Sequence, residues 1–136
     1  QKEQLENYII QHQLQQHIKL AGYRKDAAAL LEASTLLAIT SKTEGTPLVA
    51  LEAMALKTAI VSTNVGGMPN LIENTVTGML VDTGHHEDFC RACLNLITED
   101  KLRNDILKGA FDKVNEHHCM NTQSMKLTNY YQEACV

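Results

Sequence analysis

Two carboxylates with seven residues between them, Glu44 and Glu52, bracket a polar turn and the opening of a helix in the stretch Ser41 to Ala55, SKTEGTPLVALEAMA. Thr46 is a good N-cap, and Pro47 suits the first helical position, where its missing N–H costs nothing and its fixed φ is already helical. The helix start presents free backbone N–H groups at Leu48, Val49 and Ala50, one of which the Thr46 hydroxyl can take. With the positive end of the macrodipole these form a site for phosphate. Glu52, four residues after Leu48 and three after Val49, projects toward that end of an otherwise apolar helix, expected to be buried all round. An unpaired buried carboxylate costs about several kcal/mol, and sugar hydroxyls beside a bound phosphate would satisfy it. Glu44 would reach the other side of the same ligand. The alternative is that Glu44 is solvated and Glu52 bonds an amide or basic side chain of its own fold.

The elements around this stretch must hold it at a strand end. Leu5, Tyr8, Ile9 and Leu14 recur at helical spacing and predict a helix over Glu3 to His12. His17 to Ala21 alternates briefly and stops at Gly22, which predicts a short strand and a turn. Asp26 to Ala33 is rich in helix formers and leads into Thr35 to Thr40, an apolar run suited to a buried strand that feeds the Glu44 turn. After Leu56 the chain turns at Lys57 and Thr58 into a second buried strand, Ala59 to Ser62, completing a βαβ unit. Strand, polar turn and helix start in succession are the parts of a phosphate site in a doubly wound sheet.

Downstream, the loop Thr63 to Pro69, TNVGGMP, carries paired glycines, which mark a turn or let backbone approach a neighbour or ligand closely. A short helix over Met68 to Glu73 and a last strand over Gly78 to Asp82 follow. His86 to Thr98 and Asp100 to Val114 read as amphipathic helices, with Phe89, Cys93, Leu96 and Ile97 inward in the first and Leu102, Ile106, Leu107 and Ala110 in the second. Thr122 to Cys135 predicts a final helix.

Composition narrows the function. The 136 residues suffice for one core, not for two full lobes. With 12 basic and 16 acidic residues, a formal net charge of -4 and no basic run, the chain lacks the footprint of a nucleic-acid binder. No apolar run approaches the ~20 residues of a membrane span and no basic-then-apolar leader opens the chain, so a soluble, cytoplasmic protein is expected. Cys90 and Cys93 form a C-x-x-C inside a helix with no second such pair, which favours core thiols over zinc. His117, His118 and Cys119 diverge as neighbours on one element and chelate poorly.

The motif resembles the E-x7-E signature of retaining GT-B glycosyltransferases of family 4, also called group 1. The likeness runs from about Leu5 to Asn115, through HIKLAGYR, the EAMAL helix and AIVSTNVGGMPNLIENTVTGMLVD. It implies an α/β fold, a Rossmann-like parallel sheet flanked by helices that is part of one lobe of a GT-B enzyme. By this resemblance Glu44 is the catalytic glutamate beside the donor sugar. Gly45, Thr46, Pro47, Leu48 and Val49 line the sugar and its phosphates, and Glu52 bonds the ribose hydroxyls. Gly22, Tyr23 and Arg24 fall near the nucleotide base, and Gly66 and Gly67 near the inter-domain cleft; solvated loop residues and a plain turn are the alternatives. The chain departs from the family at Asn70, where a Glu is usual, and at Lys57 and Ala59, where Gly and Pro are common.

The resemblance further implies that residues 1–136 are a truncated C-terminal, nucleotide-sugar-binding lobe of a larger hexosyltransferase in polysaccharide or glycolipid biosynthesis. The acceptor, a glycan or lipid-linked sugar, would bind the missing N-terminal lobe, which would also supply any peripheral membrane contact, while an Arg and a Lys that the family carries upstream, near the start of this same lobe, are not in this chain. The fragment alone is then expected to be inactive. No D-x-D occurs, so a metal has no evident ligands and no cofactor is expected beyond the nucleotide-sugar substrate. A stand-alone flavodoxin-like binding or regulatory module and a nucleotide-sugar epimerase lobe are the competing readings.

Overall fold

A computed structural model describes residues 1–118. The predicted helix over Thr122 to Cys135, like Cys119, lies outside the described residues. The elements run α1 (Lys2–Gln11), α2 (Ala27–Glu32), β1 (Leu36–Ile39), α3 (Leu48–Ala55), β2 (Ala59–Thr63), α4 (Met68–Leu71), β3 (Met79–Val81), α5 (His86–Thr98) and α6 (Asp100–His117).

The strands form one parallel sheet in the order β1-β2-β3, with Ile39 beside Ser62 and Thr63 beside Val81. β2 is central and nearly wholly buried, so its side chains serve two cores in alternation. Ile60 joins Met54, Ala50, Ala53, Met68 and Leu71 on the face covered by α3. Ala59 and Val61 join Ala92 and Leu96 on the face covered by α5. α6 spans both, giving Ile106 to the second core and Ala110 and Val114 to the first.

α3 ends in a Schellman turn: the Thr58 amide donates to the Ala53 carbonyl at 2.8 Å and the Lys57 amide to that of Met54 at 3.3 Å. Lys57 takes the left-handed conformation, φ 57°, that this position usually gives to glycine. Its ammonium lies 4.5 Å from the centre of the Phe111 ring, a contact worth about 0.5–1 kcal/mol at an exposed site. Buried Thr58 donates its hydroxyl to the Leu31 carbonyl at 2.7 Å, tying α2 to the end of α3.

Four expectations need correction. His17 to Ala21 forms no strand: the His17 and Ile18 amides turn back to the Leu14 carbonyl, and no described strand runs beside the segment to complete a ladder. α3 starts at Leu48 with Pro47 as its extended N-cap, φ -70° and ψ 124°, so Thr46 is not the cap and Pro47 is not the first helical residue. Nor is α3 buried all round, because only its Ala50, Ala53 and Met54 side face the core, leaving Leu48, Val49, Glu52 and Ala55 exposed. On α5, Ile97 points outward as well, at 49% exposure.

Candidate functional site

The Glu44 turn leaves the carboxyl end of β1, where the last paired residue is Ile39, and delivers the chain to the start of α3. Turn and helix start are open to solvent: Glu44 and Pro47 are half-buried, and Gly45, Thr46, Leu48 and Val49 are exposed. The Ala50 amide turns back to the Pro47 carbonyl at 3.0 Å. The amides of Leu48 and Val49 have no acceptor among the described residues, which is the arrangement expected of an anion-facing helix start. An exposed helix-end contribution is modest, about 0.3–1 kcal/mol, so these amides orient an anion more than they hold it.

Glu52 stands one turn further along the exposed side of α3. Its carboxylate, like that of Glu44, has no hydrogen-bond or ion-pair partner among the described residues. The need for donors therefore does not come from burial. Exposure at Glu52 and partial exposure at Glu44 leave both acids without a partner among the described residues, before and after the two open amides in the chain, and able to accept hydrogen bonds from the hydroxyls of a ligand.

The paired glycines close the other side of this turn. The Gly67 amide donates to the carbonyls of Glu44, at 3.2 Å, and Gly45, at 3.1 Å. Gly66 takes φ 54°, and a Cβ built on it would stand 1.7 Å from the Glu44 carbonyl oxygen; one on Gly67 would stand 2.2 Å from that of Gly45. The pair is thus a backbone-on-backbone contact that any larger residue would break.

Gly22, Tyr23 and Arg24 lie in an exposed segment before α2, and no hydrogen bond or ion pair joins them to the Glu44 turn. Gly22 takes φ 61° in open space, and Tyr23 is 88% exposed. Arg24 is engaged by Asp26, its Nε donating to one carboxylate oxygen at 2.7 Å and its Nη2 to the other at 2.5 Å. The guanidinium beside Asp26 holds that carboxyl below its usual range.

A cavity of about 610 Å³ lies beyond the start of the same turn, at the carboxyl ends of β1 and β2 and the loop from β3 into α5. Thr40, Ser41, Lys42, Thr63, His85 and Phe89 are among its lining residues. None of the residues assigned by the sequence to the donor site lines it; the carboxylates and amides that could bind a sugar phosphate sit outside it, on the solvent-exposed side of the turn. Among the described residues, no group of three or more His, Cys, Asp or Glu could hold a metal ion, and no helix is long and apolar enough to cross a membrane.

Thr63 is a residue that its local sequence does not mark as part of the site. Its hydroxyl donates to the Ser41 carbonyl at 2.6 Å and approaches that of Ile39 at 3.5 Å. A hydroxyl residue closing an apolar strand was the available signal, although local sequence could not tell which turn it would reach.

The profile of the family described as "Glycosyl transferases group 1" matches residues 1–113. A UDP-Gal:alpha-D-GlcNAc-diphosphoundecaprenol alpha-1,3-galactosyltransferase of Escherichia coli is 30% identical over 108 residues, 79% of this chain and 28% of that protein. The C-terminal domain of LpcC, a group 1 glycosyl transferase of Francisella tularensis, superposes with a TM-score of 0.75 at 28% identity, over 88% of this chain and 63% of that one. TarM of S. aureus, in a structure with UDP, fondaparinux and alpha-GlcNAc-glycerol, superposes with a TM-score of 0.85 at 25% identity, over 94% of this chain and 26% of that one. The chain therefore spans less than a third of the curated relative's length.

Proposed function

The chain belongs to the group 1 glycosyl transferases, and from that premise we propose that it is the nucleotide-sugar-binding C-terminal lobe of a larger, retaining and metal-independent glycosyltransferase. The observation that carries this reading is the pair of carboxylates, Glu44 and Glu52, that have no partner among the described residues and flank the open Leu48 and Val49 amides in the chain. The UDP in the TarM structure and the UDP-sugar in the name of the E. coli relative support a uridine diphosphate sugar as donor.

In this reading the amides of Leu48 and Val49 meet the diphosphate, whose negative charge grows as the bond to the sugar breaks. Glu52 accepts hydrogen bonds from the ribose hydroxyls. Glu44, held by its backbone, faces the donor sugar, where a carboxylate stabilises the positive charge that develops at the anomeric carbon. Tyr23 and Arg24 approach the base or phosphates when the donor bridges to them, which requires Arg24 to exchange or share Asp26. The remaining positive charge belongs to an Arg and a Lys near the start of the same lobe in the larger enzyme, and the acceptor, a glycan or lipid-linked sugar of polysaccharide or glycolipid synthesis, belongs to the other lobe. A cytoplasmic location, peripheral to a membrane through that lobe, follows from such an acceptor.

Titrating UDP-glucose and related donors into the chain tests the reading. Glu52→Ala should weaken binding roughly 10- to 100-fold, as expected for loss of hydrogen bonds to a charged group. Because Glu52 is exposed and has no partner among the described residues, stability should stay within about 0.5 kcal/mol of the parent chain. EDTA should leave donor affinity unchanged. Unaltered affinity in the Glu52→Ala chain would remove its assigned role, and loss of binding in EDTA restored by magnesium would remove metal independence.

A further inference from the structure

The Glu44 turn has no regular structure, yet it must aim a carboxylate. Among the described residues only two groups outside it hydrogen-bond to its backbone between Ser41 and Thr46: the Thr63 hydroxyl at its start and the Gly67 amide at its end. Both come from the segment that closes β2.

The register explains why Thr63 reaches the turn. Ile39 pairs with Ser62, the last rung between β1 and β2, so Thr63 lies one step past it, beside chain that has already left the sheet. On its other side Thr63 still pairs with Val81 of β3, and the next residue fastens the segment further. The Asn64 amide donates to the Val81 carbonyl at 2.8 Å, and its side-chain amide donates to the Asp82 carboxylate at 2.9 Å. Thr63 is thus fixed by β3 and offers its hydroxyl toward β1. At 2.6 Å the bond to Ser41 is the short one; the 3.5 Å approach to Ile39 is at the limit of such contacts.

We propose that Thr63 is a positioning residue for Glu44: its hydroxyl, anchored through β3, pins the start of the turn while Gly67 pins the end, and the two together set where the Glu44 carboxylate stands. This rests on the reading of Glu44 as the residue beside the donor sugar. Loss of the hydroxyl would leave the half-buried Ser41 carbonyl without that partner and free the turn to pivot about Gly67 alone.

The test compares Thr63→Val, which keeps the shape and strand preference of the side chain, with Thr63→Ser, which keeps the hydroxyl. Backbone ¹⁵N order parameters for Thr43 to Thr46 are measured in the chain, together with UDP-glucose affinity and thermal midpoint. In Thr63→Val the order parameters should fall from about 0.85 toward about 0.6. Affinity should fall roughly two- to tenfold, the span that one ordinary hydrogen bond implies. Thr63→Ser should restore both. A Thr63→Val chain with an unmoved turn, or one that loses affinity while the turn stays ordered, overturns the proposal. If the parent chain binds no donor but the turn still loosens in Thr63→Val and recovers in Thr63→Ser, the positioning stands and the donor-site reading falls.

Discussion

Gly109 of α6 packs so closely on the turn before β3 that a Cβ built on it would stand 2.5 Å from the Val76 carbonyl oxygen. In an exposed helix interior, Gly→Ala stabilises by about 1 kcal/mol because alanine is the better helix former. Here the sign reverses. Gly109→Ala must push α6 away from the 74–78 turn, and overpacking against backbone costs about 1–3 kcal/mol. Urea unfolding should show a lower midpoint than the parent chain.

Thr75, at the tip of that same turn, is exposed and takes φ 66°, a left-handed conformation that a β-branched residue adopts at a cost. Thr75→Gly removes about 1–2 kcal/mol of backbone strain and adds a smaller entropic term, so a net gain of about 0.5–1 kcal/mol is expected. A thermal midpoint raised by a few degrees would match it. The amide of residue 75 donates to Gly78 through backbone alone, at 2.8 Å, and is retained.

Two of the glycines assigned to the proposed site take positive φ, Gly22 and Gly66, and should respond differently. Gly22→Ala meets open space and bears only the left-handed penalty, about 1 kcal/mol. Gly66→Ala bears that penalty and collides with the Glu44 backbone. The expected outcome is a larger loss of stability in Gly66→Ala, and donor binding lost at temperatures where the variant is still folded. Equal effects on stability, read by thermal melts, would show that the glycine pair does not press on the turn.

Cys90 is exposed and Cys93 half-buried. Burial, and then the neighbouring Cys90, push the Cys93 thiol above its ordinary pKa. The thiolate is the reactive form, so at pH 8 Cys93 should be alkylated by iodoacetamide more slowly than Cys90, and its rate should keep climbing at higher pH. Peptide mapping by mass spectrometry separates these two sites from Cys119 and Cys135. Matched rates at pH 8 would contradict the burial of Cys93 against the α5-side core.

The residues that were legible in sequence are those whose pattern is local. The apolar runs at Leu36–Ile39 and Ala59–Thr63, the helix formers of α3 and the 3.6-residue stripes of α5 and α6 each declare themselves within one element, and the elements form where expected. The α/β class and the strand–turn–helix order around Glu44 follow from them. The E-x7-E spacing could likewise be read directly, because it is a property of neighbours in the chain.

Tertiary structure decided what depends on partners. A strand exists only beside another strand, and among the described residues none lies beside His17 to Ala21, whose alternation alone does not make one. The exposure of Glu52 turned on which side of α3 meets Ile60 and α6, a choice that a nearly all-apolar helix does not encode by periodicity. The same holds for Gly66 and Gly67 against Glu44 and Gly45, and for Thr63 against Ser41: these pairs are separated by some twenty residues of chain and brought together by the register of β1 on β2. Hydrogen bonding and close packing act through space, and only the folded sheet specifies which distant backbone a glycine or a hydroxyl will meet.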